Sequence, residues 1–373
     1  MGLMRILVTG GAGFIGSHVV DALVQRGDRV RVLDNLQPQV HRGKKPGYLN
    51  PKAEYLFEDL LNQAVLPRAI EGMEAVVHLA ALVGVGQSMY EITRYMEGNT
   101  LATARFLEFL VQHQHPLKKL VVASSMSIYG EGLYRCAKHG ETAPSTRDPA
   151  RLAQHGWEVP CPHCGKEMEP IATSEEKRLQ PTSVYATSKR DQEELCLTVG
   201  QAYGIPSVAL RFFNVYGPRQ ALSNPYTGAC AIFSSRLRNG KPPVLYEDGH
   251  QTRDFIHVSD IAQAVLLALD NPKMAGQALN VGTGRAVSIR EVAEALAQAY
   301  GVQIAPTIAD RFRAGDIRHC FSDIRRISAF GFRPRVPLQE GLKDLVRWGA
   351  AAEAEDLFET AERELAQRRL LGD

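Results

Sequence analysis

A chain of 373 residues, 45% hydrophobic and 23% charged, can bury a substantial core and divide into two domains. Its formal net charge of +2 is nearly balanced, which argues against nucleic acid or a membrane surface as a partner. No apolar run reaches the length of a membrane span, and the chain enters a strand-like run almost at once without a secretory pattern, so the expected location is the cytoplasm. In that compartment the six cysteines are not read as disulfides.

The first element is the apolar run 4–8, followed by Thr9-Gly10-Gly11-Ala12-Gly13-Phe14-Ile15-Gly16 and then a helical pattern from Ser17. Strand, glycine turn and helix in this order form the first half of a dinucleotide-binding unit. Gly10 allows the tight turn, Gly13 lets backbone approach a pyrophosphate, and Gly16 lets the helix pack close to the sheet. The helix N-terminus then faces the phosphates. A second strand, Arg29–Leu33, ends at Asp34, which stands 18 residues after Gly16. A carboxylate there accepts from both adenosine ribose hydroxyls and repels a 2′-phosphate, which selects NAD over NADP.

Strand-like runs follow at 75–81 and 119–124, with a helical pattern at 100–112 between them, and Ser125 lies just past a strand end, where active-site groups collect. Sixty positions then separate Ser125 from Tyr185, far more than an ordinary connection needs. This stretch holds Cys136-Ala137-Lys138-His139-Gly140 and Cys161-Pro162-His163-Cys164-Gly165, two knuckles offering three thiolates and one imidazole. Cys136, His139, Cys161 and Cys164 make a common closed tetrahedral zinc set, structural rather than catalytic because no position stays open for water. A Cys161–Cys164 disulfide or an unliganded loop are the alternatives. The segment 140–160 has few large apolar residues besides Leu152 and Trp157, so metal is expected to order it.

Next comes Tyr185-Ala186-Thr187-Ser188-Lys189 at the head of a helical pattern running to 203. Tyrosine and lysine four apart share one helix face. A nearby ammonium and a cationic nicotinamide would lower the phenol pKa and make Tyr185 a general base, with Ser125 sharing the substrate oxygen. A further strand, Ser207–Phe212, completes the alternating rhythm of a parallel sheet covered on both faces. After Asn214 the pattern changes to short strands and helices, read as a smaller domain over the strand ends. The tail, 350–371, reads as a solvated surface helix.

Taken together, these pieces resemble the extended short-chain dehydrogenases/reductases, and among them the NAD-dependent nucleotide-sugar epimerases and dehydratases. The resemblance rests on residues 9–16, Asp34, Asp59-Leu60, His78-Leu79-Ala80-Ala81, Asn99, residues 124–130, 185–189, 211–219, 253–258 and 313–316, in order over about nine-tenths of the chain. It implies cofactor contacts from Gly10, Gly13, Phe14, Ile15, Gly16, Asp34, Asn35, Asp59, Leu60, Leu79, Ala80, Ala81 and Asn99, with Asp59 on adenine. Ser125, Tyr185 and Lys189 become the catalytic set, with Tyr185 and Lys189 also on the cofactor. Asn214, Arg253 and Arg313 would hold a substrate diphosphate, as suits arginine forks. Ser127 would also line the substrate pocket, and Cys320 would sit at a gate whose small side chain admits a 2-acetamido sugar.

Met126 and Ser127 occupy the places where the family's dehydratases carry an Asp-Glu pair, and neither can drive water elimination. The resemblance therefore implies an epimerase acting at C4 through a transient 4-keto sugar. A 4-ketoreductase, a dehydratase, an epimerase at another carbon, or a non-catalytic NAD-binding protein are the alternatives. A homodimer through helices near 102–111 and 185–199 is also implied. The expected fold is α/β: a doubly wound parallel sheet from 1–133, 175–212 and 241–272, a zinc insert at 134–174, a substrate domain from 213–240 and 273–350, and a C-terminal helix at 351–373.

Overall fold

A computed structural model describes residues 3–372. Five strands, β1 (Arg5–Thr9), β2 (Arg29–Leu33), β3 (Glu54–Leu56), β4 (Ala75–His78) and β5 (Lys119–Ser125), join Ser207–Phe212 and Gln277–Val281 in one sheet. Its order is Gln277–Val281, Ser207–Phe212, β5, β4, β1, β2, β3, parallel throughout. Strand order reverses between β1 and β4, and the crevice at their C-terminal ends is where doubly wound sheets bind ligands.

Period-two alternation sends β1 to two cores. Ile6 and Val8 pack with Val19 and Leu23 of helix Phe14–Arg26 and with Ile261 and Val265 of helix Val258–Asp270. Leu7 faces Phe106 and Leu110 of helix Ala102–Gln112 and Cys196 of helix Val184–Tyr203. Among the described residues no helix is long and apolar enough to cross a membrane.

Helices Ala229–Arg238, Ile289–Tyr300 and Leu338–Ala351 share a third core, with Phe233, Leu296 and Leu345 at its centre. The expected boundaries need two corrections here. Gln277–Val281 belongs to the central sheet, because it pairs along its whole length with Ser207–Phe212. Residues 241–253 belong to the smaller half instead, since Val244–Leu245 pairs with Thr307–Ile308 and Thr252–Arg253 with His319–Cys320.

The insert folds as a three-stranded antiparallel sheet with Leu133–Cys136 between Gly140–Thr142 and Glu169–Ile171. Its small core joins Tyr134, Val159 and Met168 to the cysteines. Leu152 and Trp157 stand apart from this core, clustering with each other and with Phe312 of the smaller half.

The tail also differs from expectation. Helix Leu338–Ala351 runs into it, and a separate helix, Phe358–Gln367, buries Ala361 and Leu365. Leu371–Gly372 then pairs antiparallel with Phe312–Arg313. Its apolar positions recur on one face and meet the smaller half rather than water.

Candidate active site

The glycine turn forms a cradle that side chains would fill. Gly10 has φ +71°, and a Cβ there would lie 2.8 Å from Ala80 N; a Cβ on Gly16 would lie 2.1 Å from Gly10 O. Gly13 caps helix Phe14–Arg26 without a side-chain hydrogen bond, and the first turn carries no acidic residue. Its free N–H groups suit an anion. This turn opens into a cleft of about 580 Å³ lined by Gly10, Gly13, Phe14, Ile15, Gly16, Asp34, Asn35, Asp59, Leu60, Leu79, Ala80, Ala81, Ser125, Ser127, Tyr185, Lys189 and Asn214. Residues far apart in sequence thus share one wall, and the cradle fits a dinucleotide.

Asp34 is held in place by Ala12 N on Oδ2 at 2.9 Å and Leu36 N on Oδ1 at 2.8 Å. Asp59 is fixed in the same way by Asn35 Nδ2 and Leu61 N, each at 2.8 Å. Each carboxylate oxygen keeps capacity for a further donor. Asn99 departs from expectation: it is fully buried in a π-helical turn, Met96–Leu101, and does not line the cleft. Its amide exchanges hydrogen bonds with Leu82 N and O at 2.7 and 3.1 Å and reaches Ser188 Oγ at 2.9 Å, tying the loop after β4 to helix Val184–Tyr203. All its groups are used locally, so it positions the cleft rather than binding the cofactor.

Tyr185 and Lys189 project from the first turns of that helix, which Ser183 caps through Ala186 N at 3.1 Å. Burial pushes the Tyr185 phenol above its usual value, and a hydrogen bond with Ser125 opposes the rise. Burial also pulls Lys189 down to about 8. Its Nζ donates to Gln192 Oε1 at 2.6 Å. Desolvation thus dominates at the phenol in place of the expected lowering, while Lys189 is bonded to Gln192. Ser127 Oγ donates to Ser125 Oγ at 2.9 Å and completes a hydroxyl chain toward Tyr185.

A second cavity of about 280 Å³ continues from the cleft, and the two share Val85, Met126, Ser127, Asn214, Tyr226, Thr227 and Ala229. Arg253 and Arg313 line it beyond this junction. Arg253 is braced by the carbonyls of Arg318 at 2.9 Å and Ile317 at 2.6 Å. Arg313 lies over the Tyr246 ring at 4.6 Å and pairs with Asp316 at 2.9 Å. Asn214 Oδ1, Ser124 Oγ and Gln251 Oε1 are buried along these walls without a partner in the protein. Cys320 lines neither cavity, which overturns its reading as a gate. It packs behind the wall with Met126, Tyr129, Phe213 and Ile317, and its thiol turns to Thr173.

The insert brings Cys136, His139, Cys161 and Cys164 together, all four ligand atoms within 4.8 Å of one another. Cys136 Sγ lies 3.8 Å from Cys164 Sγ and 3.6 Å from His139 Nδ1, and Cys161 Sγ is 3.5 Å from His139 Nδ1. A zinc tetrahedron with Zn–S about 2.3 Å and Zn–N about 2.0 Å has edges of about 3.8 and 3.5 Å. Backbone N–H groups of Lys138 and His139 hold the Cys136 thiol down at about 6, ready to ligate as thiolate.

No sequence pattern flagged how the insert is anchored. Arg147 makes a two-pronged pair with Glu247 at 2.7 and 3.0 Å, reaches Glu131 at 3.1 Å, and donates to Asp316 O at 3.0 Å. Arg318, 1% exposed, joins Glu247 and Asp248 of the smaller half to Glu158 of the insert. The insert thus stands behind the segment carrying Arg313, Asp316 and Arg318. None of residues 134–174 lines either cavity.

Residues 6–152 and 162–282 match the NAD dependent epimerase/dehydratase family, and the break at 153–161 falls within the insert. The chain is 36% identical over 348 residues to dTDP-L-rhamnose 4-epimerase of Burkholderia thailandensis, covering 92% of this chain and 94% of that protein. It is similar to the Thermus thermophilus UDP-glucose 4-epimerase solved with NAD, at 32% identity and TM-score 0.73, covering 94% of this chain and all of that one. The Bacillus cereus UDP-glucuronic acid 4-epimerase solved with UDP-glucuronic acid and NAD gives 27% identity and TM-score 0.75, covering 93% and 99%. The chain belongs to the NAD-dependent epimerase/dehydratase family.

Proposed function

We propose that this family member is a nucleotide-diphosphate-sugar 4-epimerase that keeps NAD bound between turnovers. The observation that carries the reading is the meeting of the two cavities beside Ser125 and Tyr185, with Arg253 and Arg313 placed beyond the junction to hold a diphosphate. NAD in the cleft supplies a hydride acceptor that also gives the hydride back. Tyr185 takes the proton of the C4 hydroxyl, Ser125 hydrogen-bonds the same oxygen, and Lys189 orients the cofactor ribose. The resulting 4-keto sugar turns in the pocket and Tyr185 returns the proton after reduction from the other face. Met126 and Ser127 at the junction leave no carboxylate there for dehydration.

The relatives support the C4 position and a nucleotide diphosphate, and the Burkholderia relative makes a dTDP-deoxyhexose a first substrate to try. Cys136, His139, Cys161 and Cys164 hold one structural zinc in this reading, supported by the fit of their spacing to a tetrahedral ion. Two chains associate through helices Ala102–Gln112 and Val184–Tyr203, beside which Leu101 and Tyr203 stay exposed. The test is to screen UDP-, dTDP-, GDP- and CDP-sugars for the C4 epimer and for transient reduction of bound NAD, with metal analysis of protein purified without added zinc. Stoichiometric zinc and one epimerised sugar class are expected. NAD that no nucleotide sugar reduces overturns the enzymatic reading, and freely reactive thiols without metal overturn the zinc.

A further inference from the structure

The C-terminal segment is built into the substrate cavity. Phe358, Ala361, Glu362, Leu365 and Leu370 all line it. Leu371–Gly372 pairs with Phe312–Arg313, and Ala314 N donates to Leu370 O at 2.9 Å. Within the helix, Glu362 accepts from Arg311 at 2.7 Å and Tyr246 OH at 3.2 Å, which fixes the segment to the smaller half. Two residues on, Glu364 accepts from Tyr90 OH at 2.8 Å and from Tyr226 OH, and Tyr226 belongs to the junction of cavity and cleft. Leu365 packs so closely on Gly86 that a Cβ there would meet it at 3.0 Å.

We propose that residues 358–370 form the wall against which the sugar packs and make the site selective for an uncharged hexose, 6-deoxy sugars included, over a hexuronate. The proposal rests on the nucleotide-sugar reading above. The sugar must lie at the junction, because Ser125 and Tyr185 border the cleft there. There it meets neutral groups, Ser127, Asn214, Tyr226 and Thr227, and beyond Val85 the apolar Met89 and Leu365 of the second cavity, with the Glu364 carboxylate behind Tyr226. Arg253 and Arg313 line the second cavity, where the diphosphate engages them in this reading, and of the cations on the cleft Arg94 is tied to Glu91 and Gln39 and Lys189 to Gln192. A sugar carboxylate would therefore be buried without a cation and with an anion nearby, whereas a hydroxymethyl or methyl group meets no such cost.

Dissociation constants for UDP-glucose, UDP-glucuronate and UDP test this on the NAD-loaded full chain, in wild type, Glu364→Gln and Leu365→Arg. Wild type should hold UDP-glucose at least about tenfold more tightly than UDP-glucuronate. Leu365→Arg should bring the ratio to about one or reverse it, and Glu364→Gln should narrow it about threefold, with UDP itself unchanged in both. Melting curves check that each variant is folded, and Glu364→Gln, which keeps shape and hydrogen bonding, carries the test if Leu365→Arg is not. Equal or tighter wild-type binding of UDP-glucuronate, binding of neither sugar, or variants that shift all three ligands alike would overturn the proposal. A preserved binding ratio with no reduction of bound NAD would sink the epimerase reading and leave this wall standing.

Discussion

The turn at 10–16 and the two knuckles of the insert are both tight and both use glycine, yet they differ in what crowds their glycines and in what converges beside them. At the turn, backbone closes on backbone: Gly10 N donates to Leu33 O at 2.8 Å and Ser17 N to Gly13 O at 2.9 Å. Gly16 is required there by space as well, since its Cβ would overlap Gly10 O. Gly140 and Gly165 need only their positive φ of +72° and +69°, with nothing within 4 Å of a Cβ. Backbone closes the knuckles too, with Gly165 N donating to Cys161 O at 2.8 Å and Cys136 paired with Gly140 across the hairpin, but here four ligand-type side chains also converge on one point. The cofactor cradle is therefore preformed by main chain and packing, whereas the insert has a small core around a convergent Cys/His cluster and ion pairs at its border.

That contrast can be broken or sharpened. Tyr185→Phe should lower turnover about 10²–10⁴-fold while NAD stays bound, because it removes a proton acceptor and leaves the cradle alone. Absorbance of the bound cofactor and steady-state kinetics check it, and near-wild-type kcat would rule out Tyr185 as the base. Arg147→Met should cost about 1–3 kcal/mol of stability, because Glu131 loses its cation while Glu247 keeps Arg318. Denaturant unfolding reads the loss, and Cys161→Ser should reproduce its effect on the insert while NAD content stays full. If either substitution empties the cleft of NAD, the two regions are not independent.

The third prediction concerns pH. Burial holds Lys189 near 8, below its ordinary 10.5, so the unfolded chain binds more protons between these values. The cost of burying the ammonium is fully present below about pH 8 and relieved as pH rises toward 10.5. NAD-free wild type should therefore gain up to about 3 kcal/mol relative to Lys189→Met across that window. Parallel curves for the two proteins would remove Lys189 from the account. Smallest is Asp34→Ala, expected to weaken NAD about tenfold and relax discrimination against NADP, as befits loss of hydrogen bonds to one ribose. A wild type that prefers NADP would show that this carboxylate does not select the cofactor.

The sequence was most legible where physics is local. The strand Ser207–Phe212 and the helix Ile289–Tyr300 lie where apolar periodicity put them, and the glycine spacing marked the turn. Glu54–Leu56 went unread because three residues carry no periodicity. Gln277–Val281 was hidden by Asn280, which is buried in the sheet with its side chain bonded to Tyr129 OH, Thr173 O and Asp323 O. Asn99 and Cys320 each stand one layer behind the wall they were expected to form, a distance that spacing along a chain does not encode. The Arg147–Glu247–Arg318 cluster joins positions up to 171 apart, and the tail met its partners only through tertiary packing. Such contacts leave no short-range pattern.

Trp157, one of two tryptophans in the chain, lies 8% exposed at the seam between insert and smaller half, its ring 6.4 Å from that of Phe312. The next residue after Phe312 is Arg313. The other indole, Trp348, sits in helix Leu338–Ala351 on a different core. Replacing Trp348 with phenylalanine would leave a single emitting indole whose colour and intensity report whether the insert is docked. Chelation, acid titration and substrate loading could then be followed optically in one cuvette, with no turnover required.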